Sequence, residues 1–187
     1  MRARSQVALP IYDPAIERAI LGAVFQEPDD TLALVMRTRP EQFFDEKHRA
    51  IRAAIGRVQA AGAPVDMLIV SAELSVCGEL DAVGGTPYLA QLFEEGAIPA
   101  HVPGYITTLL DLWAKRRLQQ LSLMLTTHVT NGATSAELVR AVTDTLGELE
   151  AVRRESSSAP WVSASARSSL RASSTSSPRS TSTSCGR

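Results

Sequence analysis

One stretch of this chain sets tight limits on its fold: from Gly104 to Thr130 nothing interrupts a helix. At 1.5 Å per residue such a helix extends about 40 Å. Ile106, Leu109, Leu110, Trp113, Leu121, Met124 and Leu125 form a broad stripe along it, and Leu112 and Leu123 fall on the opposite side. Asn131-Gly132 then makes a turn, and Thr134 with Glu137 has the spacing of a capping box. The helix that follows carries Leu138, Val142, Leu146, Leu149 and Val152 on one face. Two helices joined by so short a turn fold back as an antiparallel hairpin.

The residues before this stretch read as shorter helices. Asp13-Pro14 opens the first, the carboxylate accepting from free N–H groups and the proline preset for a first turn. Ile16, Ala19, Ile20, Ala23 and Val24 mark one face, while Leu21 and Phe25 point elsewhere, so this helix belongs in the middle of a bundle. Gly22 is a poor helix former, and its expected use is close approach by a neighbour. The helix stops before Pro28, and a short one follows over Thr31–Arg37. Asp45 caps a third, with Ile51, Ala54, Ile55 and Val58 recurring up to Gly62. Another follows Asp66 and runs to Gly78, and Thr86-Pro87 repeats the cap-then-proline start. No segment alternates with period two. The expected fold is all-α: a compact helical bundle, then a long antiparallel helical hairpin, then a disordered tail.

The tail follows from composition. Residues 156–187 hold four arginines, no acid, fourteen serines and three threonines, leaving 15 basic and 20 acidic side chains, a balance of −5, for residues 1–155. So polar a segment cannot bury enough apolar surface to offset its ordering entropy. The expected organisation is a flexible N-terminus (1–9), a helical globule (10–101), a hairpin (102–154) and a disordered Ser/Arg-rich tail (155–187). Apolar runs such as Met67–Val70 fall far short of a membrane helix, and Met1–Pro10 lacks the apolar core of a secretion signal. Cys77 and Cys185 are too few and too distant for a disulfide framework. A cytoplasmic protein with no membrane association is expected.

Catalytic chemistry is thinly represented. A phosphate-cradling loop needs Gly-x-x-x-x-Gly-Lys-Ser/Thr, and the two lysines, Lys47 and Lys115, do not follow a glycine. Gly84-Gly85 leads into Thr86-Pro87, where the proline removes an N–H, and so reads as a turn. His48, His101 and His128 lack the spacing of zinc ligands. His48, on the side of Ile51 and Ile55, reads as a hydrogen-bonded packing histidine, and Cys77 as a small buried hydrophobe. The pairs Asp29-Asp30 and Glu94-Glu95 read as solvated surface or capping. No catalytic, cofactor-binding or metal-ligating residue is expected. Two isolated helices cover each other's stripes only in part, and leftover apolar surface marks an interface. Either the N-terminal bundle covers Leu112 and Leu123, or a second molecule does. With identical chains, one sticky patch gives twofold dimers. The candidate dimer residues are Leu109, Leu112, Trp113, Leu123, Met124, Leu138, Val142, Leu146 and Leu149.

Several runs are also familiar. Asp13-Pro14-Ala15-Ile16-Glu17-Arg18-Ala19-Ile20-Leu21-Gly22-Ala23-Val24 closely resembles the opening of the N-terminal domain of DnaB-type replicative DNA helicases. Phe43-Phe44-Asp45-Glu46-Lys47-His48-Arg49-Ala50-Ile51 resembles that family's aromatic pair and His-Arg-x-Ile helix. Gly62-Ala63-Pro64-Val65-Asp66, then Gly84-Gly85-Thr86-Pro87-Tyr88-Leu89, stand in the family's order, and Arg116-Arg117-Leu118 fits as well. The likeness covers about residues 9–153. His101-Val102-Pro103-Gly104 departs from it, lacking an asparagine before the tyrosine. The resemblance implies a domain that pairs through its hairpins, builds a collar on a hexameric ring, and offers a docking surface to primase or a helicase loader. It also implies that ATP and magnesium serve a RecA-like motor following the linker, so that this chain itself, lacking a Walker loop, is no enzyme and takes no cofactor. Its expected partners are itself, primase, a loader or full-length helicase.

The tail allows two readings. Arg167, Arg171, Arg179 and Arg187 make a weak phosphate-contacting arm, which would suit a small DNA-binding protein. The abrupt swing after Glu155 reads instead as a frameshifted or truncated helicase gene, with DNA contact indirect or weak.

Overall fold

Local signals fix where most helices begin. Asp13 accepts from the N–H groups of Ala15 (3.0 Å) and Ile16 (3.3 Å), Asp45 from Lys47 (2.9 Å) and Asp66 from Ile69 (2.8 Å). In the computed structural model, which describes residues 11–157, these caps open α1 (Pro14–Gln26), α3 (Glu46–Ala60) and α4 (Met67–Val76). Between and after them lie α2 (Pro28–Val35), α5 (Leu80–Val83), α6 (Gly85–Glu94), α7 (Val102–Thr130) and α8 (Ser135–Ser157). Single 3-10 turns occur at Pro40–Gln42 and Pro99–His101, and no strand occurs among the described residues. The expected flexible N-terminus (1–9), Cys185 and the Ser/Arg tail beyond residue 157 lie outside the described residues.

The all-α expectation holds: a bundle of short helices, then a long hairpin. α1 is the central rod, packed against α2, α3, α6 and α7. Its residues from Ile20 to Phe25 are buried without a break. Around it Val35, Phe43, Ile51, Ile55, Val70, Leu74, Leu89 and Leu92 complete the core. Gly22 serves the close approach expected of it. A Cβ there would lie 1.9 Å from the Leu92 carbonyl oxygen and 2.7 Å from the Gly96 Cα. Gly96 is its counterpart, since a Cβ on it would meet the Gly22 carbonyl carbon at 2.7 Å.

One buried polar chain ties three helices together. The Glu17 carboxylate of α1 accepts from the N–H groups of Phe44 (2.6 Å) and Asp45 (3.3 Å) and lies 2.7 Å from His48 Nδ1 on α3. His48 Nε2 lies 2.7 Å from the Tyr88 hydroxyl of α6. Glu17 and His48 are both sealed from water, so their hydrogen bonds replace the solvation they lose. His48 is thus a packing histidine. Arg52 plays a similar part, donating to the carbonyls of Val35, Met36 and Thr38 at the end of α2.

Several boundaries and one burial differ from expectation. α2 begins at Pro28 rather than Thr31, because proline lacks the N–H that a first turn leaves unused, and it ends at Val35 rather than Arg37. Thr31 instead lies buried, its hydroxyl bonded to the carbonyls of Glu27 (2.7 Å) and Ala23 (3.1 Å). α6 starts at Gly85 with Gly84 as its cap at φ 104, so Thr86 is not the cap. α7 starts at Val102 with Pro103 in its first turn, and α8 continues to Ser157, three residues past Arg154. Cys77 is exposed, at the C-terminal cap of α4 next to Gly78 (φ 69), where the helix ends.

Candidate interaction surface

The hairpin changes character along its length. At its root Val102, Ile106 and Leu109 belong to the core of the globule, and Trp113 is buried with them. Arg116 pins the same segment, donating to the carbonyls of Ile11 (2.9 Å) and Gln42 (2.6 Å). Its guanidinium carbon sits 5.5 Å from the Phe44 ring centre, and Phe44 stacks on Tyr12 at 4.2 Å. Leu121 is the last residue of α7 to be buried. Beyond it the same helix runs on with every side chain half-buried or exposed.

α8 explains this change through two ladders of three- and four-residue steps, the spacing that puts side chains on one helical face. Leu138, Ala141, Thr145, Glu148 and Val152 form the inner one, of which Thr145 and Val152 are buried. Glu148 within it bonds Arg117 of α7 at 2.6 and 3.2 Å. One residue further round, Val139, Val142, Leu146, Leu149 and Arg153 form the outer ladder. There Val139 is 64% exposed and Leu146 46% exposed. A groove of about 330 Å³ opens between the helices at this level. Leu110, Trp113 and Ala114 of α7 and Leu146, Leu149 and Val152 of α8 make it apolar.

The proposed dimer residues therefore separate into three groups. Leu109 is 1% exposed, held against the globule, and has no surface to offer a second molecule. That corrects its assignment: the globule reaches further up α7 than the helical stripe alone could reveal. Trp113 is also buried in the root, yet it forms part of the groove wall. Leu112, Leu138, Val142 and Leu149 are half-buried, and Leu123, Met124 and Leu146 are exposed. Leu118, Val129 and Val139 are exposed as well, and the sequence reading missed them. Val139 stands seven residues before Leu146, a signal the sequence did carry. Leu138 and Val152, read with Val142, Leu146 and Leu149 as one face, in fact turn inward toward α7.

The turn closing the hairpin is built as its capping box requires. Glu137 accepts from the Thr134 N–H (2.9 Å) and hydroxyl (2.8 Å), and its own N–H points to Thr134 Oγ1 at 3.4 Å. The backbone bond first, then the hydroxyl bond, hold the Glu137 carboxyl below the usual carboxylate range. Among the described residues no group of three or more His, Cys, Asp or Glu could hold a metal ion. No helix among them is long and apolar enough to cross a membrane. What the hairpin presents is an apolar groove flanked by exposed apolar side chains.

Comparisons with known proteins agree on one group. The family model of the DnaB-like helicase N terminal domain matches residues 9–111. The replicative DNA helicase DnaB of Geobacillus stearothermophilus is 34% identical over 110 residues, covering 59% of this chain and 24% of that protein. That of Rhodothermus marinus is 31% identical over 127 residues, 68% of this chain and 14% of that protein. That of Treponema pallidum is 28% identical over 131 residues, 70% of this chain and 30% of that protein. The chain thus spans less than a third of the length of these relatives. The crystal structure of the N-terminal domain of DnaB helicase from Mycobacterium tuberculosis is similar with a TM-score of 0.66 at 29% identity, over 76% of this chain and 99% of that one. A structure of a DnaB-like replicative helicase and its interactions with primase shares the fold at a TM-score of 0.58 and 24% identity, over 73% of this chain and 30% of that one. With the match running over more than half of its residues, this chain belongs to the family of DnaB-like helicase N-terminal domains.

Proposed function

We propose that the chain works as an assembly and docking module in DNA replication: its hairpin pairs with a second copy, and the paired domains offer a surface to primase, a helicase loader or full-length helicase. In this reading ATP and magnesium serve only the motor of the helicase, and contact with DNA is indirect. The observation that supports it is the contrast along α7, where Val102 to Trp113 are rooted in the core while Leu123, Met124 and Val129 stand in solvent. Leu118, Val139 and Leu146 are further exposed apolar side chains of the hairpin. Exposed apolar side chains gathered on one element of a polar domain are what a self-complementary twofold interface covers. The neighbour of similar fold that is described with its interactions with primase supports the docking half of the proposal.

Sedimentation and light scattering on the full chain at tens of micromolar test it. The expected result is a dimer or larger assembly that becomes a monomer in the Leu123→Glu, Leu146→Glu double variant, with helix content unchanged by circular dichroism. A monomeric parent chain with full helix content would overturn the pairing.

A further inference from the structure

A second recess, of about 370 Å³, lies where the globule meets the hairpin, and its wall is basic and aromatic rather than apolar. Phe44, Arg49, Trp113 and Arg116 line it, together with Glu41 and the ion-paired Arg117 and Glu148. Arg49 gives its Nε to the Phe43 carbonyl (2.8 Å) and its Nη2 to the Phe44 carbonyl (3.1 Å). Arg116 gives both terminal nitrogens to the carbonyls of Ile11 and Gln42. Both guanidiniums are therefore fixed by neutral oxygens. Among the described residues neither forms an ion pair.

Their charges remain open to an anion. Burial above all holds Arg116 below the usual arginine range, with the pull of Glu17 larger than the push of the Arg49 charge. Two guanidiniums on the wall of one recess, one of them half-shielded from water, offer a carboxylate or phosphate a converging set of donors. Each guanidinium keeps further N–H groups for the task, since Arg carries five donors. Arg49 is exposed, so an incoming group can reach it.

The rest of the domain decides which anion fits. Residues 1–155, which surround the recess, carry a balance of −5 against +4 on residues 156–187, so the domain itself disfavours a long run of nucleic-acid backbone there. One or two carboxylates on a short segment escape most of that repulsion and match the planar fork of arginine. Beside the arginines, exposed Phe44 is already braced by Tyr12 and offers an apolar wall, with Trp113 further in. The volume, at the small end for binding pockets, takes roughly two side chains.

We propose that this recess binds an acidic segment of a partner protein, with a glutamate or aspartate on Arg49 and Arg116 and a neighbouring apolar side chain against Phe44. The site names a chemistry for docking that does not depend on the hairpins pairing. Arginine clusters that read acidic motifs are a recurrent form of peptide recognition.

Fluorescence polarisation on the full chain tests it with a labelled, capped decapeptide bearing two glutamates beside a phenylalanine. Its glutamine counterpart and a short oligothymidylate serve as competitors. The glutamate peptide should bind at least about ten-fold more tightly than the glutamine peptide. Arg49→Gln should weaken it by about ten-fold and Phe44→Ala by a similar factor, with the oligomeric state unaltered. Arg49→Gln leaves the Arg116 ties to Ile11 and Gln42 in place, so it serves as the decisive variant if Phe44→Ala fails to fold. Equal affinity for the two peptides, no binding of either, or indifference to Arg49→Gln would overturn the proposal. Preferred binding of the oligothymidylate would overturn it in favour of a nucleic-acid site. A monomeric chain that still prefers the glutamate peptide would remove the hairpin pairing and leave this site standing.

Discussion

In the globule α1 is wrapped by α2, α3, α6 and the root of α7, while in the hairpin α7 and α8 have little but each other. The globule buries six consecutive residues of α1 and satisfies its sealed carboxylate through two backbone N–H groups and a histidine. Among the described residues the outer hairpin holds no buried charge. The half-exposed Arg117–Glu148 pair and a turn with a capping box help to fasten it. The two regions use the same helix-forming residues, and what separates them is the number of neighbours that close over each face. Burial is concentrated in the globule, and exposed apolar side chains in the outer hairpin.

Substitutions that probe each region can break or sharpen this contrast. The largest effect is expected at Gly22→Val, where the added atoms collide with the backbone at Leu92 and Gly96. The globule should lose about 4 kcal/mol or more and fail to give a cooperative melt by circular dichroism. A variant that folds normally would mean that α1 and α6 are not held as tightly as the contrast requires. Glu17→Gln comes next. It keeps the shape but places an amide N–H group among donors, and should cost about 2–3 kcal/mol in urea denaturation without altering the oligomeric state.

Smaller changes belong to the hairpin. Gly147 lies in α8, where an added methyl group would meet nothing within 4 Å, so Gly147→Ala should raise stability by about 0.5–1 kcal/mol. Arg117→Ala should cost about 0.5 kcal/mol, and hydrogen exchange should quicken in α8 while α1 keeps its protection. Equal quickening in both would show one cooperative body rather than two. The smallest effect concerns pH. Glu137 has its carboxyl held below the usual range, so its capping contribution is present above the ordinary glutamate value of about 4.3 and is lost as the pH falls through the lower folded value. The protection of amides in the first turn of α8, taken relative to their intrinsic exchange, should therefore fall as the pH drops below the ordinary glutamate value, ahead of that of the α1 amides.

The legible parts of this fold were those carried by neighbouring residues in the sequence. Asp13, Asp45 and Asp66 announced helix starts because a capping carboxylate acts within three residues of itself. Asn131-Gly132 with the Thr134–Glu137 box announced the hairpin for the same reason. Gly22 was legible as a close contact, though its counterpart Gly96 was not, since that pairing depends on how α6 meets α1. Four-residue α5 has no side-chain cap and left no signal of its own. Burial was harder to read than helix position. Leu109 and Leu123 both belong to α7 and both looked available, yet the globule closes over the first and stops short of the second. The grouping of Arg49 with Arg116 was invisible in the sequence, because α3 and α7 bring them together from distant positions.

α7 is a single rod of 29 residues, clamped at one end inside the globule and held at the other by α8. It is a cantilever. From Arg117 to Thr130 the part beyond the Arg116 clamp extends about 20 Å, so a tilt of roughly 5° at the base swings the tip by about 2 Å. Whatever grips the tip therefore senses, and exerts torque on, the seating of the rod among α1 and α2.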